Sequence, residues 1–148
     1  SRDDDEQDGS GAGGRSSRAV EVDRVVDGDT AKVFIDGESE YVRYIGIDTP
    51  ESVAQGQPVE CFGQESKNFN ESLLTVGEVR LVFDEEQRDQ YGRLLAYVYA
   101  EGRMLNEELL RNGYATTLEI SPNTAHADRF ADLEAQARDS SRGLWAYC

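Results

Sequence analysis

AVEVDRVVDGDTAKVFIDGESEYVRYIGIDTPE, residues 19–51, is the stretch that decides how this chain folds. Val20, Val22, Val25 and Val26 predict a strand from Ala19 to Val26 that runs into a turn at Asp27-Gly28-Asp29. Ala31 to Ile35 is β-prone, and Asp36-Gly37 is a strong two-residue hairpin signal. The returning strand, Glu38 to Ile47, carries Tyr41, Val42, Tyr44, Ile45 and Ile47. Three successive strands therefore predict an antiparallel meander.

Working outward, the polar stretch after Pro50, with Gly56 and Pro58, predicts an extended surface loop. A helix follows from about Phe62 to Leu74, bearing Phe62, Phe69, Leu73 and Leu74, and Gly77 ends it. Glu78 to Phe83 and Leu94 to Tyr99 are predicted strands, separated by a charged loop from Asp84 to Arg93. Met104 to Arg111 is helical and stops at Asn112-Gly113. The last helix, about His126 to Ser141, puts Phe130, Leu133 and Ala137 on one stripe, and Trp145 is expected to pack back on the core. Five strands and three α-helices in this order predict an α+β fold, a five-stranded Greek-key β-barrel of the OB type. Upstream, Ser1 to Arg18 offers almost nothing to bury and contains the run Asp3-Asp4-Asp5-Glu6, so residues 1–18 are expected to be a disordered acidic tail and residues 19–148 the folded domain.

A chain of 148 residues has room for one core. Its net charge of -15 has the wrong sign for general attraction to a polyanion. Thirteen of the fifteen cations are arginine, the lysines being Lys32 and Lys67. This acid-rich, lysine-poor balance resembles adaptation to high salt, where a Debye length of about 3 Å at 1 M screens distant surface charge; the alternative is an ordinary acidic secreted protein. No apolar run approaches the roughly 20 residues that span a bilayer. The chain starts with Ser, and the expectation is an extracellular or cell-surface protein whose leader or anchor has been removed, the acidic segment serving as a tether. Cys61 and Cys148 lack the close spacing of a zinc or redox motif. They form either one disulfide or two buried thiols; the terminal position of Cys148, where a fraying end gains from an anchor, favours the disulfide and an oxidising compartment.

The chemistry lies at the turns, where hard oxygen ligands and arginines cluster. Asp27-Gly28-Asp29-Thr30 leaves one strand and Asp48-Thr49-Pro50-Glu51 another; each alone is an ordinary way to turn or to end a strand. Combined with Arg43 and with Asp89-Gln90-Tyr91-Gly92-Arg93 they carry more. Asp27-Gly28-Asp29-Thr30, Arg43 with Ile47-Asp48-Thr49-Pro50-Glu51, and Tyr91-Gly92-Arg93-Leu94-Leu95-Ala96-Tyr97 resemble the three signature blocks of the staphylococcal nuclease family. Phe62-Gly63-Gln64-Glu65-Ser66, Asn106-Glu107 and Glu134-Ala135-Gln136-Ala137 extend the resemblance, which runs from about Val20 to Trp145.

That resemblance implies a calcium-dependent nuclease that hydrolyses DNA and RNA at the P–O5′ bond, leaves 3′-phosphate ends and prefers single-stranded or fraying regions. It implies Ca²⁺ held by Asp29, Asp48 and the backbone of Thr49, a set of hard oxygens that leaves places for water and a phosphate oxygen. Glu51 matches the family's general base, to take the proton of the attacking water or to orient it. Arg43 and Arg93 match the two catalytic arginines, whose forked donors suit phosphate oxygens and transition-state charge. Tyr91 matches a tyrosine that contacts a substrate phosphate. A monomer without a stable protein partner is expected.

Departures fall on substrate binding. The lysine that precedes the family's tyrosine is Gln90 here, the basic loop is the neutral Ser52 to Pro58, and the stacking tyrosines are replaced within Thr117-Leu118-Glu119-Ile120-Ser121. His126 reads as structural, and Tyr97 and Tyr99 as core. The competing readings are a non-catalytic nucleic-acid or protein-binding module on the same barrel, and a calcium-stabilised structural domain. One geometric tension remains: Arg43 and Asp48 are an odd number of residues apart, so a regular strand would turn them to opposite faces. They share a site only if the strand ends or bulges, and Gly46 is the place for it.

Overall fold

The first strand is long enough to serve two neighbours. In the computed structural model, which describes residues 16–52, 60–75 and 78–148, β1 (Ser17–Asp27) meets β2 (Thr30–Ile35) along its second half, from Glu21 opposite Phe34 onward. Its first half, Ser17 to Val20, pairs with β5 (Val79–Val82). Register shifts between Val22 and Arg24 and between Val25 and Asp27 bend the strand between these duties. Ser17 and Arg18 thus belong to the barrel, opposite Val82 and Leu81, and not to the tail to which the sequence assigns them. Residues 1–15 of that tail, the loop residues 53–59 and the helix-ending Gly77 lie outside the described residues.

β3 (Glu38–Tyr44) returns antiparallel to β2 through a turn in which Asp36 and Gly37 both take positive φ, 52° and 84°, the twist a tight hairpin demands. β6 (Leu94–Ala100) lies antiparallel to β5 and parallel to β3, pairing Val42 with Leu94 and Tyr44 with Ala96. The order β1-β2-β3-β6-β5 then closes on β1, so the fold is the α+β, OB-type barrel that the element order predicts. A two-residue β7 (Arg103–Met104) folds back antiparallel on the end of β6.

The third strand is shorter than its apolar pattern suggests. β3 ends at Tyr44, and Gly46, at φ 81°, reverses the chain before β4 (Ile47–Asp48). A Cβ at Gly46 would stand 2.6 Å from the Phe130 ring, so both backbone and packing reserve this position for glycine. β4 leaves the barrel and pairs with β8 (Thr116–Thr117).

The helices close the barrel. α1 (Gly63–Leu74), α2 (Leu105–Arg111) and α3 (Ala127–Asp139) fall where periodicity predicts them, within two residues at each end. α2 and α3 bury Leu105, Leu109, Leu110, Phe130 and Leu133 against Val42, Leu81 and Tyr97, each large aliphatic side chain contributing about 1.5–3 kcal/mol. The inner face of α1 is different: Ser66 and Asn70 are fully buried beside Gly63 and Leu74, while Phe69 and Leu73 are only partly covered. A final turn, α4 (Leu144–Tyr147), was not read from the sequence; Trp145 on it is half-buried, with the Arg138 guanidinium 5.7 Å from its ring. A disulfide joins Cys148 behind α4 to Cys61 ahead of α1, and Phe62 stacks on Tyr147 beside it. No helix among the described residues is long and apolar enough to cross a membrane.

Candidate active site

Three chain reversals deliver the candidate residues to one place. The β1–β2 turn carries Asp27 and Asp29, the Gly46 reversal brings Asp48 and Glu51 alongside Arg43, and the loop before β6 supplies Tyr91 and Arg93. Asp29, Arg43, Asp48, Glu51, Tyr91 and Arg93 all line a single open cleft of about 420 Å³. Ending β3 at Tyr44 resolves the odd spacing of Arg43 and Asp48, since the chain turns over before the second of them.

Arg43 is held by the reversal that it stabilises. Its Nη1 donates to the carbonyls of Tyr44 (3.0 Å) and Ile47 (2.9 Å). Its Nη2 lies 3.2 Å from Asp29 Oδ2 and 3.4 Å from Asp48 Oδ1, so one guanidinium faces both carboxylates. Asp29 is buried and well supplied, accepting from the Thr30 hydroxyl and from the Thr49 N–H, each at 2.9 Å. Asp48 is 57% exposed. The Thr49 side chain does not line the cleft; its buried hydroxyl has no hydrogen-bond partner among the described residues and sits where a Cβ on Gly28 would fall.

Glu51 is positioned by its main chain. Its N–H donates to Glu60 Oε1 (2.8 Å) and its carbonyl accepts from the Glu60 N–H (3.0 Å). Gly63 packs so closely beneath that a Cβ there would stand 2.2 Å from the Glu51 carbonyl oxygen. Burial, followed by repulsion from Asp27, Asp29, Glu60 and Asp48, raises the Glu51 carboxyl above its ordinary pKa. Asp48 is raised likewise, by burial and then Asp29, with Arg43 opposing. The donor set fits a hard divalent cation: it is all oxygen, and its negative charges lack enough positive partners. Among the described residues no three His, Cys, Asp or Glu side chains form a ready cage, so backbone and water oxygens would have to complete any coordination shell.

Two supports escaped the sequence reading. Asp27 Oδ1 accepts from the Ser52 hydroxyl (2.6 Å) and N–H (3.2 Å) and from the Gly28 N–H (2.9 Å), tying the first turn to the residue after Glu51. Behind it, Asn70 on α1 donates to the Asp27 carbonyl (3.0 Å) and accepts from the buried Tyr44 hydroxyl (2.7 Å), whose ionisation burial suppresses. The second support is Asp89. Its Oδ1 accepts the Tyr91 and Arg93 N–H groups and its Oδ2 the Arg93 Nε (2.8 Å). Burial would push Asp89 up, but these donors outweigh it and hold the carboxyl below its ordinary range. The signal was present: an Asp two residues before Tyr91 in a Gly-containing turn is an Asx-turn pattern.

A second pocket, about 390 Å³, adjoins the cleft across Arg43, Tyr91 and Arg93, with Leu118 and Ile120 in its wall where the resemblance leads one to expect tyrosines. His126 lies apart from the cleft, edge-on to Tyr97 at 4.5 Å and stacked on Phe130. Tyr97 is core, while Tyr99 is only partly covered.

Residues 41–147 match the family model described as Staphylococcal nuclease homologue. The chain is 39% identical over 129 residues to "Endonuclease YncB" of Bacillus subtilis and 40% identical over 129 residues to the "SPbeta prophage-derived endonuclease YokF" of the same organism. Each match takes in 86% of this chain but only 61% and 44% of those proteins. It is 37% identical over 136 residues to the "Thermonuclease" of Staphylococcus hyicus, covering 92% of this chain and 80% of that protein.

Proposed function

The chain belongs to the staphylococcal nuclease family, and from that premise we propose that it is a phosphodiesterase that cuts DNA and RNA, with calcium, at the P–O5′ bond. The observation that carries the reading is that Asp29, Arg43, Asp48, Glu51 and Arg93, drawn from three separate loops, line one open cleft.

In this reading Arg43 and Arg93 take the phosphate oxygens, each guanidinium pre-oriented, by two carbonyls at Arg43 and by Asp89 at Arg93. Such preorganised donors typically contribute about 10²–10³ in rate each. Glu51, fixed through Glu60, receives or orients the proton of the attacking water. Calcium, held by Asp29, Asp48 and the Thr49 carbonyl, would supply Lewis-acid polarisation of a phosphoryl oxygen. The adjoining pocket, with Leu118, Ile120 and Tyr91 in its wall, takes a base in this reading, which favours unpaired strands. The disulfide fits an oxidising, extracellular setting, and the acidic surface fits work at high salt.

The test is digestion of single-stranded DNA and of RNA with calcium, with and without chelator, followed by end-group analysis. Cleavage that stops on chelation and leaves 3′-phosphates is expected. Activity indifferent to chelation overturns the metal assignment, and binding without cleavage supports the non-catalytic module instead.

A further inference from the structure

Arg24, Lys32 and Tyr41 form a row across three neighbouring strands. Arg24 is opposite Lys32 in the β1–β2 register, and Lys32 is opposite Tyr41 in the β2–β3 register. Residues opposed in antiparallel strands project from one face, and here it is the outer one, since Ala31 and Val42 beside them point into the core. Lys32 Nζ lies 4.7 Å from the centre of the Tyr41 ring. Tyr41 is 43% exposed and lines the same cleft as Glu51 and Arg93.

The setting of this row matters in a chain of charge -15. Neither Arg24 nor Lys32 forms an ion pair with another described residue. The acids nearest on the same strands are engaged elsewhere: Asp23 accepts from the Ser39 hydroxyl at 2.7 Å and Glu40 from Arg88 at 2.8 Å. The acids of these strands that have no hydrogen bond or ion pair among the described residues, Glu21 opposite Phe34 and Glu38 opposite Ile35, stand at the far end of the strands. In the other direction the next outward row on β2 and β3 pairs Thr30 with Arg43. Two residues along a strand is about 7 Å, comparable to one phosphate step of an extended single strand. Two cations that form no ion pair among the described residues, beside an exposed aromatic ring and one such step from Arg43, have the composition of a single-strand binding track.

We infer that Arg24, Lys32 and Tyr41 form a subsite for the next nucleotide of a single-stranded substrate, with Tyr41 stacking on its base and the two cations taking the phosphate beyond the scissile one. The inference rests on the nuclease reading above. It gives the outer face of β2 and β3 the task that the weakened Gln90 and Ser52–Pro58 regions do not perform.

The experiment compares two probes: a long single-stranded oligonucleotide, and a nitrophenyl phosphodiester of thymidine that has the scissile phosphate but no second phosphate. The double variant Arg24→Gln/Lys32→Gln should lower kcat/KM on the long strand and flatten its log–log salt dependence by about 0.7 per lost phosphate contact. Its rate on the thymidine ester should equal wild type. Tyr41→Ala should raise KM on the long strand roughly 5- to 150-fold with kcat retained, and Tyr41→Phe should restore it. Equal slowing on both probes, or an unchanged salt slope, overturns the subsite. If wild type cleaves neither probe the nuclease reading fails, and anisotropy of a fluorescent single strand then decides the row: affinity unchanged in the double variant overturns it.

Discussion

Removing the disulfide tests how the site is anchored. Cys61 and Cys148 close a loop across a separation of 87 residues. The chain-entropy relation gives about 4.6 kcal/mol for a loop of that length, and relaxation usually trims such values, so the double variant Cys61→Ser/Cys148→Ser should lose about 2–4.5 kcal/mol. Urea unfolding should show the loss together with a larger m-value, because the unlinked unfolded chain expands. A second consequence follows from position. Cys61 adjoins Glu60, whose N–H and carboxylate hold both main-chain polar groups of Glu51. Well below the melting temperature the variant should therefore lose kcat while KM changes little. A stability loss below about 1 kcal/mol refutes the loop argument. An unchanged kcat in a chain that has become less stable refutes the link from Cys61 through Glu60 to Glu51.

Asn106, fully buried on α2, accepts from the Val98 N–H (3.0 Å) and donates to the Ile45 carbonyl (2.8 Å), so Asn106→Ala strands two buried backbone groups and should cost about 2–5 kcal/mol in urea unfolding. Asp89→Asn should lower kcat by loosening Arg93, and because Asp89 is held below its ordinary pKa, its share of stability is present at neutral pH and disappears as pH falls through that depressed value, so the variant and wild type should converge in strong acid. Asp48 has the opposite sign: its raised pKa means that its share of stability is present at low pH and is lost as pH rises through that value. Asp48→Asn should therefore stabilise the chelator-treated protein at neutral pH by less than about 1 kcal/mol, given its exposure, with the gain vanishing in acid. The melting temperature should climb as KCl rises to molar concentration; a flat or falling curve removes the high-salt assignment.

Much of the barrel was legible because its strands alternate. Val79, Leu81 and Ala96, Val98 mark faces that any half-buried strand must show, and Asp36-Gly37 marks its own turn. The ends of elements were less legible. Tyr41 to Ile47 reads as one apolar strand, and what divides it is the left-handed backbone of Gly46 against Phe130, a tertiary contact that local pattern does not encode. Ser17 and Arg18 were assigned to the tail because neither is apolar, yet their backbone pairs with β5, where hydrogen bonding and not burial admits them. At the site, the charged side chains could be named from the turns that carry them together with the family resemblance of those motifs. The residues that aim them could not. Asn70 and Glu60 act through main-chain groups, so their importance lies in where the backbone passes and has no compositional signature; Asp89 differs, its Asx turn being written in the sequence before Tyr91.

These pins also explain why α1 presents Ser66 and Asn70 inward where a packing argument expects leucine. Ser66 donates to the Tyr114 carbonyl (2.7 Å), and Asn70 bridges Tyr44 to the Asp27 carbonyl. An apolar residue at Asn70 would leave the buried Tyr44 hydroxyl and the Asp27 carbonyl without these partners, at a cost of about 1–3 kcal/mol each. It would leave the turn that carries Asp27 and Asp29 without a directional restraint, and hydrogen bonds, unlike dispersion, discriminate angle and register. Hydrophobic burial on β6, α2 and α3 therefore accounts for the existence of the barrel, whereas a few buried polar contacts account for the position of its loops. Stability and geometry are assigned to different side chains, and the second group lies directly behind the cleft.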